Sequence, residues 1–192
     1  MYLLRSVLLA AAVSLAALAA QAQTVEVAGV KLEPAAQVGG QPLVLNGAGV
    51  RTRAFFKVYV AGLYVPQKST EPKSLLAQKG PRRVAIHLLR DVDAETFAGA
   101  LNDGLKANHS EEQLAAMKAQ LETFNASMKS VGEVKKGDAV FLDLAGGGTQ
   151  LIVNGQPRGA AIPGEEFFTA LLRIWIGDQP ADGALKKGML GG

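Results

Sequence analysis

The order of secondary-structure signals along the sequence predicts an α+β domain in which an antiparallel sheet is covered on one face by helices. Strand-like runs rich in Val, Phe, Leu and Tyr fill the first part of the chain, and two consecutive segments with helical spacing of apolar residues follow them. Hairpin signals and one more helical segment complete the chain. Strands and helices therefore do not alternate as they do in a parallel, doubly wound sheet.

Four segments that precede the first long helical pattern are predicted to be strands. They are residues 25–32, 41–45, 55–65 and 82–89. Each is rich in β-branched, aromatic or other apolar residues and is bounded by turn-forming residues. Gly39-Gly40 separates the first two, and Pro66 ends the third because proline cannot donate a ladder hydrogen bond. A polar loop at residues 68–72 leads towards the fourth.

Two consecutive amphipathic helices are predicted after these strands. The first begins at Ala94, where Asp93 can cap the free amides, and ends near Asn108. Its apolar residues recur every four positions, at Phe97, Leu101 and Leu105. The second begins after Ser110, which can form a capping box with Gln113. Its apolar residues follow at spacings of three and four, at Leu114, Met117, Leu121, Phe124 and Met128.

The C-terminal third is predicted to begin as an antiparallel meander and to end in a helix. Residues 139–144 and 150–153 are strand candidates separated by a glycine turn, and Asn154-Gly155 is a hairpin signal. The last predicted helix covers residues 165–175, with Gly177 placed to cap its C-terminus.

The first 22 residues are predicted to be a secretory signal peptide. A cationic start ending at Arg5 precedes the apolar stretch 7–19 and the small-residue pattern Ala20-Gln21-Ala22. The apolar stretch is shorter than the ~20 residues that a membrane-spanning helix needs, which argues against a retained anchor. Cleavage after Ala22 leaves residues 23–192 as one expected domain. We expect the mature protein in the bacterial periplasm.

Composition excludes several kinds of site and partner. The chain has no cysteine, so disulfides and thiolate metal ligands are excluded. His87 and His109 are isolated, and neither metal nor any other cofactor is predicted; His87 is expected to be a half-buried scaffold residue. The formal net charge of +3 falls to +2 when Arg5 leaves with the signal peptide. The remaining Lys and Arg are scattered, so nucleic acid is not a predicted partner.

Common catalytic and phosphate-binding motifs are missing. The sequence has no GxSxG nucleophile elbow. Asn46-Gly47-Ala48-Gly49 is glycine-rich but lacks the GxGxxG pattern and the Lys-Ser/Thr of a phosphate loop, so it predicts a bend or bulge in a sheet. Asp91 and Asp93 are interpreted as a strand-to-helix turn and a helix cap.

Residues 45–65, LNGAGVRTRAFFKVYVAGLYV, place Arg51, Tyr59 and Tyr64 in an apolar, strand-forming run. A guanidinium is costly to bury alone, so Arg51 requires a paired carboxylate, an anionic ligand or exposure at an edge. A hairpin centred near Phe55 would bring Arg51 and Tyr59 together across adjacent strands. One straight strand would separate them by roughly 26 Å. The connecting residues carry no strong turn chemistry, so the sequence leaves both arrangements open.

Sequence strings spread over nearly the whole mature chain carry a family resemblance. LNGAGVR and KVYVAGLYV are followed by LLRDV, NDGLKAN, VKKGDAVFLDL, LLRIWIGDQP and LKKGMLG. In order and spacing these strings resemble the bacterial chalcone isomerase-like family. The resemblance implies an open-faced β-sandwich, a large antiparallel sheet covered on one side by helices, and this agrees with the α+β prediction.

The resemblance implies that the catalytic site of the plant enzymes is altered here. Those enzymes hold an arginine beside a cleft lined by Thr, Tyr, Lys and Asn and use it to bring a phenolate and an enone together. Arg51 matches that arginine, whereas Tyr59 replaces a Thr, Phe97 a Tyr and Phe168 a Ser or Thr. These replacements remove hydrogen-bonding groups that would position a flavonoid substrate.

The leading hypothesis is an exported, non-catalytic protein that binds a fatty acid or another apolar carboxylate. Fatty-acid-binding relatives of the fold pair the same arginine with a tyrosine on the following strand, as Arg51 and Tyr59 do in this sequence. A guanidinium and a phenol offer several donors to a carboxylate. Tyr64, Phe97 and Phe168 complete the candidate ligand-binding set, with the two Phe as tail contacts.

Two other functions remain open at this point. One is an isomerase or intramolecular lyase of unknown substrate, in which Arg51 stabilises an oxyanion and Tyr59 is the general acid. The other is a structural or partner-binding periplasmic protein in which Arg51 pairs internally with a carboxylate such as Asp91 or Asp143.

Overall fold

The computed structural model describes residues 24–192, and the predicted signal peptide at residues 1–22 lies outside the described residues. Its eleven strands are β1 (Val25–Val27), β2 (Val30–Leu32), β3 (Ala35–Val38), β4 (Gln41–Arg53), β5 (Phe56–Val65), β6 (Arg82–Leu88), β7 (Val92–Asp93), β8 (Glu133–Val134), β9 (Ala139–Ala145), β10 (Gly148–Val153) and β11 (Gln156–Pro163). Its helices are α1 (Pro72–Ala77), α2 (Ala94–Asn108), α3 (Glu111–Ala116), α4 (Lys118–Lys129), α5 (Glu165–Ile176) and α6 (Gly183–Met189).

Seven of these strands form one antiparallel sheet in the order β11-β10-β9-β6-β5-β4-β3. Strand β9 pairs with β6, so the C-terminal meander joins the N-terminal strands in a single sheet. The remaining strands form two small pairs, β1 with β2 and β7 with β8. The predicted α+β class with an antiparallel sheet is confirmed.

The two faces of the sheet are covered differently. The larger apolar core lies between one face and the helices, and its largest fully buried side chains include Trp175, Phe124 and Phe167. The smaller cluster on the other face includes Leu43, Val60 and Tyr64, against which the β1–β2 hairpin packs. Helices therefore cover one face of the sheet, as the sequence predicted.

Most predicted elements are found, but several differ in extent. The predicted strand at residues 25–32 is a hairpin, because Ala28 and Gly29 adopt positive φ angles of 49° and 81°. The second amphipathic helix is interrupted at Met117, which has φ −106° and ψ 20° and separates α3 from α4. Asp93 caps α2 by accepting a hydrogen bond from the Thr96 amide at 2.8 Å, as predicted.

Six elements were not predicted from the sequence. They are α1, α6, β3, β7, β8 and β11. Helix α1 begins at Pro72, the last residue of the predicted polar loop, and continues through residues that the sequence left unassigned. Helix α6 follows the segment 165–175, which was predicted to be the last helix. Short helices and edge strands carry few periodic residues, so their hydrophobic pattern is weak. Within residues 24–192, no helix is long and apolar enough to cross a membrane.

Candidate ligand-binding cleft

Strands β4 and β5 form a long hairpin that pairs Arg51 directly with Tyr59. The chain reverses at residues 54–55, where Ala54 has a φ of 55° and Arg53 faces Phe56 across the turn. The hairpin was one of the two arrangements left open by the sequence. It places the Arg51 guanidinium carbon 5.5 Å from the centroid of the Tyr59 ring, both on the helix-covered face.

The glycine-rich residues 46–49 lie within β4 rather than ending it. The pairing of β4 with β5 shifts register between Leu45 and Gly47, so the predicted bulge is confirmed at Asn46. Gly49 faces α6 closely, because a Cβ built there would lie 3.1 Å from the Leu185 backbone. Glycine therefore permits both the irregular register and the close approach of a helix.

Arg51 has no internal carboxylate partner among the described residues. Its Nε is buried and makes no hydrogen bond, and no carboxylate oxygen within residues 24–192 lies within 4.0 Å of its guanidinium. Asp143 instead pairs with Arg83 at 2.6 Å, and Asp91 accepts a hydrogen bond from the Lys136 amide at 2.8 Å. The hypothesis that Arg51 pairs with Asp91 or Asp143 is wrong.

Tyr59 is fully buried beneath Arg51. Its hydroxyl oxygen accepts a hydrogen bond from the Trp175 indole nitrogen at 2.9 Å, and its ring makes an edge contact with Phe97, with centroids 6.4 Å apart. Burial raises the pKa of the Tyr59 hydroxyl above 10.0, although the nearby Arg51 charge acts in the opposite direction. The hydroxyl therefore stays protonated and keeps one proton to donate.

A cleft of about 400 Å³ opens beside Arg51, between the tip of the β4–β5 hairpin and the start of α2. Arg51, Arg53 and Arg90 supply positive charge to its walls. The other lining residues are Ala54, Phe56, Val58, Asp91, Val92, Asp93, Thr96, Phe97 and Ala100. Half of the lining residues are apolar, and the three arginines outnumber the two aspartates, so the walls combine apolar surface with a small excess of positive charge. This combination suits a small-molecule site.

The five candidate residues from the sequence do not share this cleft. Arg51 and Phe97 line it, and Tyr59 lies directly behind them. Tyr64 lies on the opposite face of the sheet, where its hydroxyl donates to the Glu33 carbonyl at 2.9 Å. Tyr64 is five residues after Tyr59, and side chains alternate between faces along a strand, so the two must point apart.

Phe168 also lies away from the cleft. It is fully buried in the core, and the guanidinium of Arg82 lies 5.1 Å from its ring centroid. Arg82 is itself fully buried and donates to Glu165 at 2.8 Å. Helix α5 begins at Glu165, so Phe168 lies one turn into the helix beside this ion pair.

Sequence reasoning missed three residues that shape the site. Arg53 and Arg90 line the cleft, and Trp175 hydrogen-bonds the Tyr59 hydroxyl. Trp175 lies in the last predicted helix, and its spacing there is typical of a core residue, although a buried indole N–H usually needs an acceptor. Pairing it with a buried tyrosine required the tertiary structure, since the two residues are 116 positions apart.

The arrangement favours anion binding over proton transfer. Tyr59 does not line the cleft and its raised pKa makes it a poor acid near neutral pH. Hydrogen bonding from the Thr96 side chain, and then from its amide, holds the pKa of Asp93 below its usual range, so this carboxylate is also a poor proton donor. Within residues 24–192, no cluster of His, Asp and Glu is placed to hold a metal ion.

The fold and the cleft together define an open-faced antiparallel β-sandwich with a cationic cleft at the end of its longest hairpin. The family model described as chalcone isomerase-like matches residues 24–191. The chain therefore belongs to the chalcone isomerase-like family.

The solved structures include one of a fatty-acid binding protein from Arabidopsis thaliana that is similar to this chain. The TM-score is 0.65 and the sequence identity is 13%, with 84% of this chain and 92% of that chain covered. At this identity the similarity shows the fold alone. A comparison with curated proteins gave no match.

Proposed function

We propose that the protein binds a fatty acid or another apolar carboxylate in the cleft, with Arg51 as the group that contacts the carboxylate. The observation that carries this proposal is the unpaired, buried Nε of Arg51 beside a largely apolar cleft. A buried cationic donor without a partner is energetically unfavourable, and a carboxylate would supply both the charge and the acceptors that are missing. The fatty-acid binding protein of the same fold supports this ligand class.

Tyr59 has a supporting role in this proposal. Its ring lies beside the guanidinium, and its hydroxyl accepts from Trp175 while retaining its own proton. Because Tyr59 lies behind Arg51 and does not line the cleft, it holds the guanidinium in place and does not contact the carboxylate itself. The Trp175 hydrogen bond fixes the direction in which the hydroxyl is held.

The expected affinity comes from both ends of the ligand. A hydrogen bond to a charged group contributes roughly 1.5–3 kcal/mol, and each buried methylene adds about 0.8 kcal/mol. Phe97, Phe56 and Val58 form the apolar walls along which the first part of an acyl tail would lie. Affinity should therefore rise with tail length until the tail leaves the cleft.

Lipid extraction and native mass spectrometry of the purified protein test the proposal. The wild type is expected to retain a carboxylate, and Arg51→Ala is expected to lose it. Arg158→Ala is the matched control, because Arg158 is an exposed arginine on β11 outside the cleft. Equal retention by Arg51→Ala and wild type would exclude Arg51 as the carboxylate contact.

Export through the signal peptide at residues 1–22 is part of the same proposal. The predicted cleavage after Ala22 gives a mature chain that begins at Gln23. Intact-mass measurement on a periplasmic extract tests this start site. A full-length protein confined to the cytoplasm would exclude export.

A further inference from the structure

The tip of the β4–β5 hairpin exposes two phenylalanines to solvent. Phe55 is 97% exposed and Phe56 is 60% exposed. The other large apolar side chains that are strongly exposed within residues 24–192 are Val25 and Val44, at 40% and 37%. A single exposed apolar side chain is common, but two adjacent exposed phenylalanines form an apolar patch, and such patches mark sites of interaction with a partner or a membrane.

The turn itself does not require these aromatic residues. Arg53 pairs with Phe56, so Ala54 and Phe55 form the apex of the hairpin. A two-residue hairpin turn favours Asn, Asp or Gly at such positions, and Ala54 instead adopts a positive φ of 55°. The sequence at the apex thus departs from turn chemistry while presenting the largest exposed apolar side chain that the structure describes.

Basic side chains surround the exposed rings. Arg53 and Lys57 flank the two phenylalanines in sequence and are exposed. The Arg90 guanidinium lies 4.9 Å from the Phe56 ring centroid. The acidic groups near the cleft, Asp91 and Asp93, accept backbone hydrogen bonds from Lys136 and Thr96. Aromatic residues bordered by Arg and Lys match the apolar and anionic layers of a phospholipid surface.

We propose that this hairpin tip docks on an anionic phospholipid surface. Phe55 and Phe56 enter the boundary between headgroups and acyl chains, while Arg53, Lys57 and Arg90 contact the phosphates. Phe56 also lines the cleft, so docking places the mouth of the cleft against the lipid. Docking does not require the proposed ligand, whereas passage of a carboxylate between bilayer and cleft rests on the proposed function.

Flotation with phospholipid vesicles tests the docking. Wild type and all variants are prepared in the form that cells export. Intact mass shows that they share the same N-terminus, so that they can be compared directly. Wild type is expected to bind phosphatidylcholine vesicles that contain phosphatidylglycerol, and less well those that lack it. Phe55→Ser/Phe56→Ser is expected to lower the partition coefficient about tenfold or more. Removing the charge of Arg53 or Lys57 is expected to lower it about fivefold each, and salt should weaken binding.

Val25→Ser/Val44→Ser is the matched control, since it changes the other two exposed apolar residues to the same polar residue away from the tip. It should bind vesicles as the wild type does. In a second measurement, Phe55→Trp is expected to shift its fluorescence to shorter wavelength on vesicles and to be quenched by brominated acyl chains. Absence of quenching would overturn insertion of the tip.

Two further results would overturn the proposal. One is equal vesicle binding by Phe55→Ser/Phe56→Ser and wild type. The other is a concentration-dependent dimer in sedimentation velocity that this variant abolishes, because the tip would then contact a second copy of the chain. Arg51→Ala separates docking from carboxylate binding, because it should bind vesicles normally even though it loses the carboxylate. Loss of vesicle binding would count against docking alone, and retention of the carboxylate would count against the proposed function alone.

Discussion

The packing of α6 against β4 depends on Gly188, and substitution of this residue should destabilise the protein measurably. A Cβ built on Gly188 would lie 2.5 Å from the Ala48 carbonyl oxygen and 2.9 Å from the Gly49 Cα. Both contacts are with backbone, so no flexible side chain can move aside. Overpacking of this kind costs roughly 1–3 kcal/mol, while replacing a helical glycine by alanine gains up to about 1 kcal/mol. Gly188→Ala should therefore lower the free energy of unfolding by about 1–2 kcal/mol.

Gly183→Ala on the same helix is the matched control. A Cβ at Gly183 meets no atom within 4 Å and its backbone φ is not positive, so the substitution should be neutral or slightly stabilising. The two variants should thus differ by about 2 kcal/mol, or roughly 4–8 °C in melting temperature. Urea unfolding followed by the fluorescence of the single tryptophan, Trp175, measures the difference, because this residue is fully buried.

Equal stability of Gly188→Ala and Gly183→Ala would refute the reasoning. It would mean that α6 can move away from β4 without loss of packing energy. That movement would also affect the candidate cleft, since Asp182 joins α6 to β4 by accepting from the amides of both Leu185 and Thr52, next to Arg51.

Three further substitutions test the site and its surroundings. Tyr59→Phe removes the acceptor of the buried Trp175 indole, and urea unfolding should show a loss of about 1–3 kcal/mol. Burial lowers the pKa of His87 below 6.5, so the unfolded chain binds this proton more readily than the folded one. Wild-type stability should therefore fall as the pH drops below 6.5, and less so in His87→Asn, as measured by urea unfolding over a pH series. Arg51→Met removes a partly buried, unpaired cation, so unfolding of the delipidated variant should show stability equal to wild type or up to about 1 kcal/mol higher.

The sequence predicted the class of the fold because its longer elements carry strong periodic patterns. Helix α2 has apolar residues at regular spacing and a side-chain cap, and both features are local. The strand predicted at residues 41–45 is longer in the structure, where β4 continues through the glycines to Arg53. The reason for those glycines is α6, which packs on them from the far end of the chain and which the sequence did not predict.

The candidate site was only partly accessible from the sequence. Arg51 stands out in the sequence because a charge in an apolar strand is unusual, and Arg82 carries the same signal at the start of its strand. Strand alternation alone predicts that Tyr64 is not in the same site as Tyr59, since an odd spacing along a strand puts two side chains on opposite faces of the sheet. The sequence could not decide whether the chain turns near Phe55, because the residues there do not favour a turn.

The contrast between Arg51 and Arg82 shows what the structure adds to the charge pattern. Both arginines lie on strands of the large sheet and face the helix-covered core, yet Arg82 has Glu165 at 2.8 Å and Arg51 has no carboxylate within 4.0 Å among the described residues. Arg82 is fully buried and pairs with the half-buried Glu165 at the start of α5, whereas Arg51 borders an open cleft. An unpaired cation at the wall of a cleft can bind an anion from solution. An arginine that already pairs with a carboxylate of the protein does not exchange that carboxylate for a ligand as readily. Arg51, rather than Arg82, is therefore the arginine suited to reversible binding of an anionic ligand.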